Sequence, residues 1–248
     1  MMQRFFIHPA DISGRIVRLT GENANHIARV LRMRPGESVV LCDGCKTDYI
    51  ASLQNIGKTE VTAAIEQTMP SAGEPDFQVT LFQAMPKGTK MDSIIQKCTE
   101  LGVSKIIPCN LSRCVVKLEG DADAKKKTMR WRSIAEAAAK QSQRGIIPVV
   151  EQPVSFDRAL SMMKAHDFCF AAYELETQQD MRALLQRTAG RQVRSVAFLV
   201  GPEGGISDAE AELLCSNGIP TVHLGSRILR TETAPLLILS ILMYEFDK

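Results

Sequence analysis

Val200-Gly201-Pro202-Glu203-Gly204-Gly205 and, some twenty residues later, Leu224-Gly225-Ser226-Arg227-Ile228-Leu229-Arg230-Thr231-Glu232-Thr233 are the stretches on which the reading of this chain turns. Each follows an apolar, strand-like run and leads toward a helix, so the pair is expected to form two loops at one end of a sheet. Open α/β folds bind their ligands in that position, outside the carboxyl ends of the strands. Ser207-Asp208-Ala209-Glu210 has the S-x-x-E form of a capping box and starts a helix running to Asn217, where Gly218 supplies a left-handed stop. Glycine at 201, 204 and 205 opens backbone angles closed to other residues and lets a ligand approach the main chain. The G-x-x-G-G spacing is neither the dinucleotide fingerprint nor a P-loop, which disfavours a nucleotide-dependent oxidoreductase.

Upstream of these loops, strands and helices alternate. Strands are expected at 78–85, 105–107, 146–150, 168–173 and 193–200, helices at 91–101, 130–143, 156–164 and 180–187, and a short strand at 221–224. This alternation predicts an α/β domain with a mainly parallel sheet covered by helices. A last helix begins near Thr233 with Pro235 in its first turn. Leu236, Leu237, Leu239, Ile241, Leu242 and Phe246 wrap around more than one of its faces. Burial is worth about 1.5–3 kcal/mol for each large apolar side chain, so this helix is expected to serve both the core and a dimer interface.

Before Pro70-Ser71-Ala72-Gly73-Glu74-Pro75 the pattern is different. Short β-type runs at 15–19, 38–41, 49–53 and 60–65, punctuated by Gly14, Pro35-Gly36, Asp43-Gly44 and Gly57, predict a small barrel. One helical segment, 22–31, brings His26, Arg29 and nearby Arg32 to its end. The chain is therefore divided into domains 1–72 and 73–248. Cys42-Asp43-Gly44-Cys45 is formally a CxxC, but Asp-Gly between apolar runs reads as a hairpin turn, and no second pair at zinc-site spacing follows.

The 248 residues suffice for two domains, each with its own core. Seven cysteines without a scaffold rhythm fit free thiols in a reducing compartment. The start lacks the apolar centre of a secretory signal, and the longest apolar stretch, 234–243, is too short to cross a bilayer, so a cytoplasmic protein with no membrane contact is expected. Net charge is only +2, but it is segregated. Residues 1–34 carry six arginines against two acids, and residues 85–144 carry thirteen basic against six acidic side chains. From 145 onward there are nine basic and thirteen acidic. Such segregation fits a basic surface meeting a polyanion, and equally fits solvated helix faces such as Lys125-Lys126-Lys127.

The two loop motifs resemble those of the ribosomal small subunit methyltransferase E family. The resemblance continues through Gln96-Lys97-Cys98-Thr99-Glu100-Leu101-Gly102-Val103 and Glu136-Ala137-Ala138-Ala139-Lys140-Gln141-Ser142-Gln143-Arg144, and so spans most of the chain. It implies a SPOUT-type knotted, parallel-sheet methyltransferase domain preceded by a small PUA-like RNA-binding β-barrel. It also implies a homodimer that transfers a methyl group from S-adenosyl-L-methionine to N3 of a uridine in 16S ribosomal RNA, in the small subunit or its precursor. A trefoil knot in the loop region rests on this resemblance alone, since chains ordinarily do not thread loops.

Carried across residue by residue, the cofactor site comprises Leu199, Val200, Gly201, Glu203, Gly204 and Gly205 from the first loop. The second loop adds Leu224, Gly225, Ile228, Leu229, Arg230, Thr231 and Thr233. Leu199, Leu224, Ile228 and Leu229 would line an apolar slot for adenine. Ser226, where relatives often have proline, and Pro235 after the Thr-Glu-Thr motif depart from the family pattern.

Methylation of uracil N3 removes an imide proton while negative charge grows on the flanking carbonyl oxygens, so a fixed guanidinium there favours the transition state. Arg230 is the first candidate, with capping of local carbonyls or pairing to Glu232 as its structural alternative. Glu232 or Glu203 becomes a candidate proton acceptor if burial raises its pKa, with water or a substrate phosphate as alternatives. His223 is read as a packed strand residue. The RNA track would use Arg4, His26, Arg29, Arg32 and Arg34 of the barrel. Lys87, Lys90, Arg113, Gln141 and Arg144 would extend it. Two other readings remain open: a SPOUT enzyme acting on another RNA site or a ribose 2′-OH, and a non-enzymatic RNA-binding assembly factor.

Overall fold

A computed structural model describes residues 2–116 and 120–247, which form two compact units. The first runs to Glu74 and takes in Ala139–Ile147; the second holds Pro75–Ala138 and everything from Pro148 on.

In the first unit, β1 (Gln3–Phe6), β2 (Ile12–Ser13), β3 (Ile16–Thr20), β4 (Ser38–Cys42), β5 (Thr47–Ile56) and β6 (Glu60–Pro70) form one sheet in the order β1-β4-β5-β6-β3-β2. All pairs are antiparallel except β1 with β4. Alternate residues such as Val17 and Leu19, Val39 and Leu41, and Val61 and Ala63 point to a single apolar core, the period-two pattern of a sheet with one buried face. Between β4 and β5, Asp43 Oδ1 accepts from the Cys45 and Thr47 amides at 2.7 and 3.1 Å. Gly44 there has φ +70°, so the formal CxxC is a hairpin turn.

The helix expected at 22–31 is shorter and broken. α1 (Gly21–Asn25) gives way to a π-helical turn, His26–Val30, in which the Leu31 amide donates to the His26 carbonyl at 2.9 Å. One extra residue in the turn re-aims the side chains that follow it. Ile27 stays in the core while His26, Arg29 and Arg32 face solvent, with Arg32 at φ +52°.

Two arginines expected to contact RNA are instead part of this unit's interior. Arg4 donates to both oxygens of Asp48 at 2.6 and 2.8 Å and to the Arg144 carbonyl at 2.9 Å. Burial would raise the Asp48 carboxyl, but hydrogen bonds from Arg4 and Ser71 outweigh it and hold the group below its ordinary value. Arg144 Nε and Nη2 pair with Glu74 at 2.7 and 2.9 Å, both side chains being 3 % exposed. Glu74 also accepts from the Gly145 and Ile146 amides at 2.7 and 3.1 Å. These bonds explain why 139–147 clusters with the first unit, where the linear division at 72/73 had placed it in the second. A charge buried in a pair has no free face for a phosphate, so Arg4 and Arg144 leave the RNA set.

The second unit contains β7 (Gln78–Ala84), α2 (Lys90–Glu100), β8 (Lys105–Asn110), α3 (Gly120–Gln141, whose last three residues belong to the first unit) and β9 (Val149–Val150). There follow β10 (Val154–Ser155), α4 (Phe156–Met163), β11 (Phe168–Ala172), α5 (Met181–Gln186), β12 (Ser195–Val200), α6 (Asp208–Ser216), β13 (Thr221–Val222) and α7 (Ala234–Phe246). Every strand pairing is parallel, in the order β10-β8-β7-β12-β11-β13 with β9 beside β8. β7 and β12 are buried along nearly their whole length, as strands covered on both faces must be.

α3 begins ten residues before the expected start at 130, with Asp121 and Asp123 favourably placed in its first turn. Lys117, counted in the basic segment, lies outside the described residues. The strand expected at 146–150 shrinks to its last two residues because the Glu74 carboxylate holds the amides at 145 and 146. α7 packs on α2, with Ile238, Leu239 and Leu242 fully buried, Leu237 37 % exposed and Tyr244 90 % exposed. Among the described residues no helix is long and apolar enough to cross a membrane.

Candidate functional site

Three parallel strands end level with one another. Ala172 of β11 pairs with Val200 of β12 and with Val222 of β13, so the chain leaves the sheet at 173, 201 and 223 side by side. The loops that follow enclose a cleft of about 570 Å³, within the size range of small-molecule sites.

The first glycine loop lines it from Val200 to Gly205. The loop closes through a hydrogen bond from the Gly205 amide to the Pro202 carbonyl at 2.9 Å. The capping box forms as expected: Glu210 accepts from the Ser207 amide at 2.9 Å and Ser207 Oγ accepts from the Glu210 amide. Burial pushes the Glu210 carboxyl up, but backbone donors at Ser112 and Ser207 hold it below its usual value. Arg113 Nη1 donates to the Gly204 and Ile206 carbonyls at 3.1 Å each. It thus braces the glycine loop through one nitrogen while its side chain stays exposed.

The second loop lines the cleft from Leu224 to Thr231. Leu224 and Leu229 are half-buried, while Ile228 is 87 % exposed at the rim. Thr231 is the clamp between the loops. Its hydroxyl donates to the Gly201 carbonyl at 2.7 Å and accepts from Gln83 Nε2 at 3.0 Å, all in the buried interior. Thr231→Val keeps the shape but strands the Gly201 carbonyl and one Gln83 Nε2 hydrogen, the other still reaching the Ala84 carbonyl, at about 1–3 kcal/mol per unsatisfied group. Urea unfolding should show that loss, and Thr231→Ser should recover most of it; equal stability of the valine and serine variants would refute the clamp.

Leu199 and Thr233, expected at the cofactor, stand outside the cleft lining. Leu199 is fully buried within β12, one residue before the strand opens, and therefore packs in the sheet interior, outside the cleft lining. Thr233 caps α7 through its backbone and does not line the cleft either. His223, read as a packed strand residue, does line it, with Nδ1 accepting from the Gly225 amide at 3.2 Å. The third wall, Ala172, Tyr173 and Glu174, was not anticipated. Its only sequence signal was the apolar run before it, since nothing local says which strands end together.

The charges are ordered around Lys90, the first residue of α2 and one of the expected RNA contacts. Its ammonium bridges Glu203 of one loop at 2.9 Å and Glu232 of the other at 3.3 Å. Glu203 also accepts from the Lys87 amide at 3.0 Å. Burial would raise the Glu203 carboxyl, yet Lys90 and the backbone donors keep it low. The condition set for Glu203 as a base, a raised pKa, is therefore not met. Arg230 is 83 % exposed at the cleft, with Nη1 3.9 Å from Glu232 Oε1. The remaining RNA candidates, His26, Arg29, Arg32, Arg34, Lys87 and Gln141, are all exposed.

A parallel α/β domain with glycine-rich loops at its strand ends, in a chain that also carries a small β domain, is the arrangement of an RNA methyltransferase. A model of the RNA methyltransferase domain matches residues 73–243, and one of the RNA methyltransferase PUA domain matches residues 19–66. The ribosomal RNA small subunit methyltransferase E of Bacillus subtilis is 37 % identical over 99 % of this chain and 98 % of its own length. The Neisseria gonorrhoeae protein of that name, solved bound to S-adenosyl methionine, superposes with a TM-score of 0.85 at 31 % identity, covering 98 % of each chain. A Legionella pneumophila protein described as a methyltransferase, solved with the bound cofactor, gives 0.84 at 32 % identity over 98 % of each chain. This chain belongs to the ribosomal RNA small subunit methyltransferase E family, and its fold is of the SPOUT type preceded by a PUA-like domain.

Proposed function

We propose that this chain uses S-adenosyl-L-methionine to methylate N3 of a uridine in 16S ribosomal RNA. The observation that carries the reading is the cleft itself, where three in-register strand ends present two glycine-rich loops to a ligand and Arg230 to the solvent side. Its volume suits an adenosyl amino acid, and the backbone of 201–205 and 224–231 supplies groups that can read adenine.

Bound there, S-adenosylmethionine supplies a methyl group activated on sulfonium sulfur. The protein's part is to make uracil N3 able to receive it. Arg230 places a permanent positive charge beside the carbonyl oxygens on which charge develops, and its exposure leaves the guanidinium free to meet a base presented from outside. The N3 proton is assigned to Glu232, with water or a substrate phosphate as the alternative acceptor. Glu232 Oε2 is 3.3 Å from Lys90 Nζ, and its Oε1 is 3.9 Å from Arg230 Nη1.

RNA is gripped by the exposed cations of the PUA-like unit, Arg29, Arg32 and Arg34 with His26, and by Lys87 and Gln141. None of Arg29, Arg32 and Arg34 has an ion-pair partner among the described residues. The exposed face of α7, with Leu237 and Tyr244, joins two copies into a homodimer. The enzyme works in the cytoplasm on the small subunit or its precursor.

The deciding experiment is nucleoside analysis of 16S RNA or small subunits after incubation with the protein and methyl donor. N3-methyluridine is expected, and a ribose 2′-O-methyl product would refute the assignment. Arg29→Ala with Arg32→Ala should weaken RNA binding and flatten its salt dependence by roughly 0.7–0.9 in log–log slope for each phosphate no longer neutralised. Methyl-donor affinity, measured by calorimetry, should not change; an unaltered RNA salt slope would move the RNA track elsewhere.

A further inference from the structure

The acidic groups around the cleft are not equivalent. Glu203 and Glu232 are committed to Lys90. Glu174, at the end of β11 on the third wall, is exposed and has no hydrogen bond or ion pair among the described residues. Its carboxylate lies directly on Gly205: a Cβ built on that glycine would fall within bonding distance of Glu174 Oε1. Gly205 has φ +71°, so both the backbone angle and the space exclude a side chain, and the bare glycine is what lets the carboxylate sit against the loop.

A hydroxyl of the ligand needs only a neutral acceptor, which backbone carbonyls provide throughout a glycine loop. A carboxylate left without a counter-cation in a ligand cleft is complementary to a cationic donor, and charge-assisted hydrogen bonds of this kind are the stronger class. Resting on the methyl-donor reading above, we infer that Glu174 binds the α-ammonium group of the donor's methionine portion, so that the cleft selects an adenosyl amino acid over the bare thioether nucleoside.

The test is calorimetric titration of the full chain and of Glu174→Gln, which keeps the size and the contact on Gly205, with three ligands. S-adenosylmethionine and S-adenosylhomocysteine both carry the ammonium, whereas 5′-methylthioadenosine lacks the amino-acid end. Glu174→Gln is expected to weaken the first two by about ten- to a hundredfold and to leave methylthioadenosine unchanged, which also shows that the variant's cleft is intact. Equal loss for all three ligands would place the carboxylate on the nucleoside and overturn the inference. Loss for S-adenosylmethionine alone would assign it to the sulfonium, and no loss at all would remove Glu174 from the site. A folded parent chain that binds none of the three would overturn the methyl-donor reading itself.

Discussion

Arg230→Ala is expected to lower the rate of methyl transfer by about 10²–10³-fold, the usual loss when one donor to a developing oxyanion is removed. The effect should fall on kcat, because in the ground state the uracil carbonyls are neutral and gain little from a guanidinium. The structure places Arg230 83 % exposed, with its one ion-pair contact among the described residues at the long separation of 3.9 Å, so its removal costs the fold little. Methyl-donor affinity by calorimetry and RNA affinity by filter binding should both stay close to those of the parent. Single-turnover methylation separates chemistry from binding. Normal turnover would remove Arg230 from the mechanism, and a collapse of donor affinity with unchanged single-turnover rate would make it a binding residue only.

The second large effect is on stability. Arg144→Met removes one partner of a buried pair whose side chains are both 3 % exposed, leaving Glu74 with the Gly145 and Ile146 amides as its remaining donors. Breaking a buried pair from one side typically costs about 3–5 kcal/mol, since the surviving charge stays desolvated. Urea unfolding of the PUA-like unit should move by that amount. Adding Glu74→Leu should recover only part of it, because the carboxylate is also what holds the two backbone amides. A shift under about 1 kcal/mol for Arg144→Met alone would mean that water reaches the pair and that it behaves as a surface bridge.

The same arginine shows where reading the chain reached its limit. Arg4 stands beside the apolar Phe5-Phe6-Ile7 and Arg144 at the end of the polar run Lys140-Gln141-Ser142-Gln143, yet in both cases the carboxylate partner is far off in sequence, 44 and 70 residues away. Nothing local distinguishes an arginine that will be buried from one that will face a phosphate. The contacts of Lys90 and Arg113 with the cleft loops were illegible for a related reason. Each comes from an element remote in sequence and turns out to brace the loops of the cleft. The broken helix after α1 was illegible because its buried residues, Ala24 and Ile27, are spaced three apart, as on one face of a continuous helix.

What the sequence determined by itself is what depends on neighbours along the chain: the period-two strands, the Asp43-Gly44 hairpin, the capping box at Ser207, and the two glycine loops with their family likeness. These are set by backbone sterics and by hydrogen bonds between residues a few positions apart, so the residue types and their spacing are sufficient. Tertiary structure alone decided that β11, β12 and β13 end level, that Tyr173 and Glu174 therefore form a third wall, that Thr231 locks Gly201 to Gln83, and that residues 139–147 belong with the first unit. Strand register and buried pairing join residues distant in the chain, and their energies come from desolvation and packing that exist only once the fold has closed.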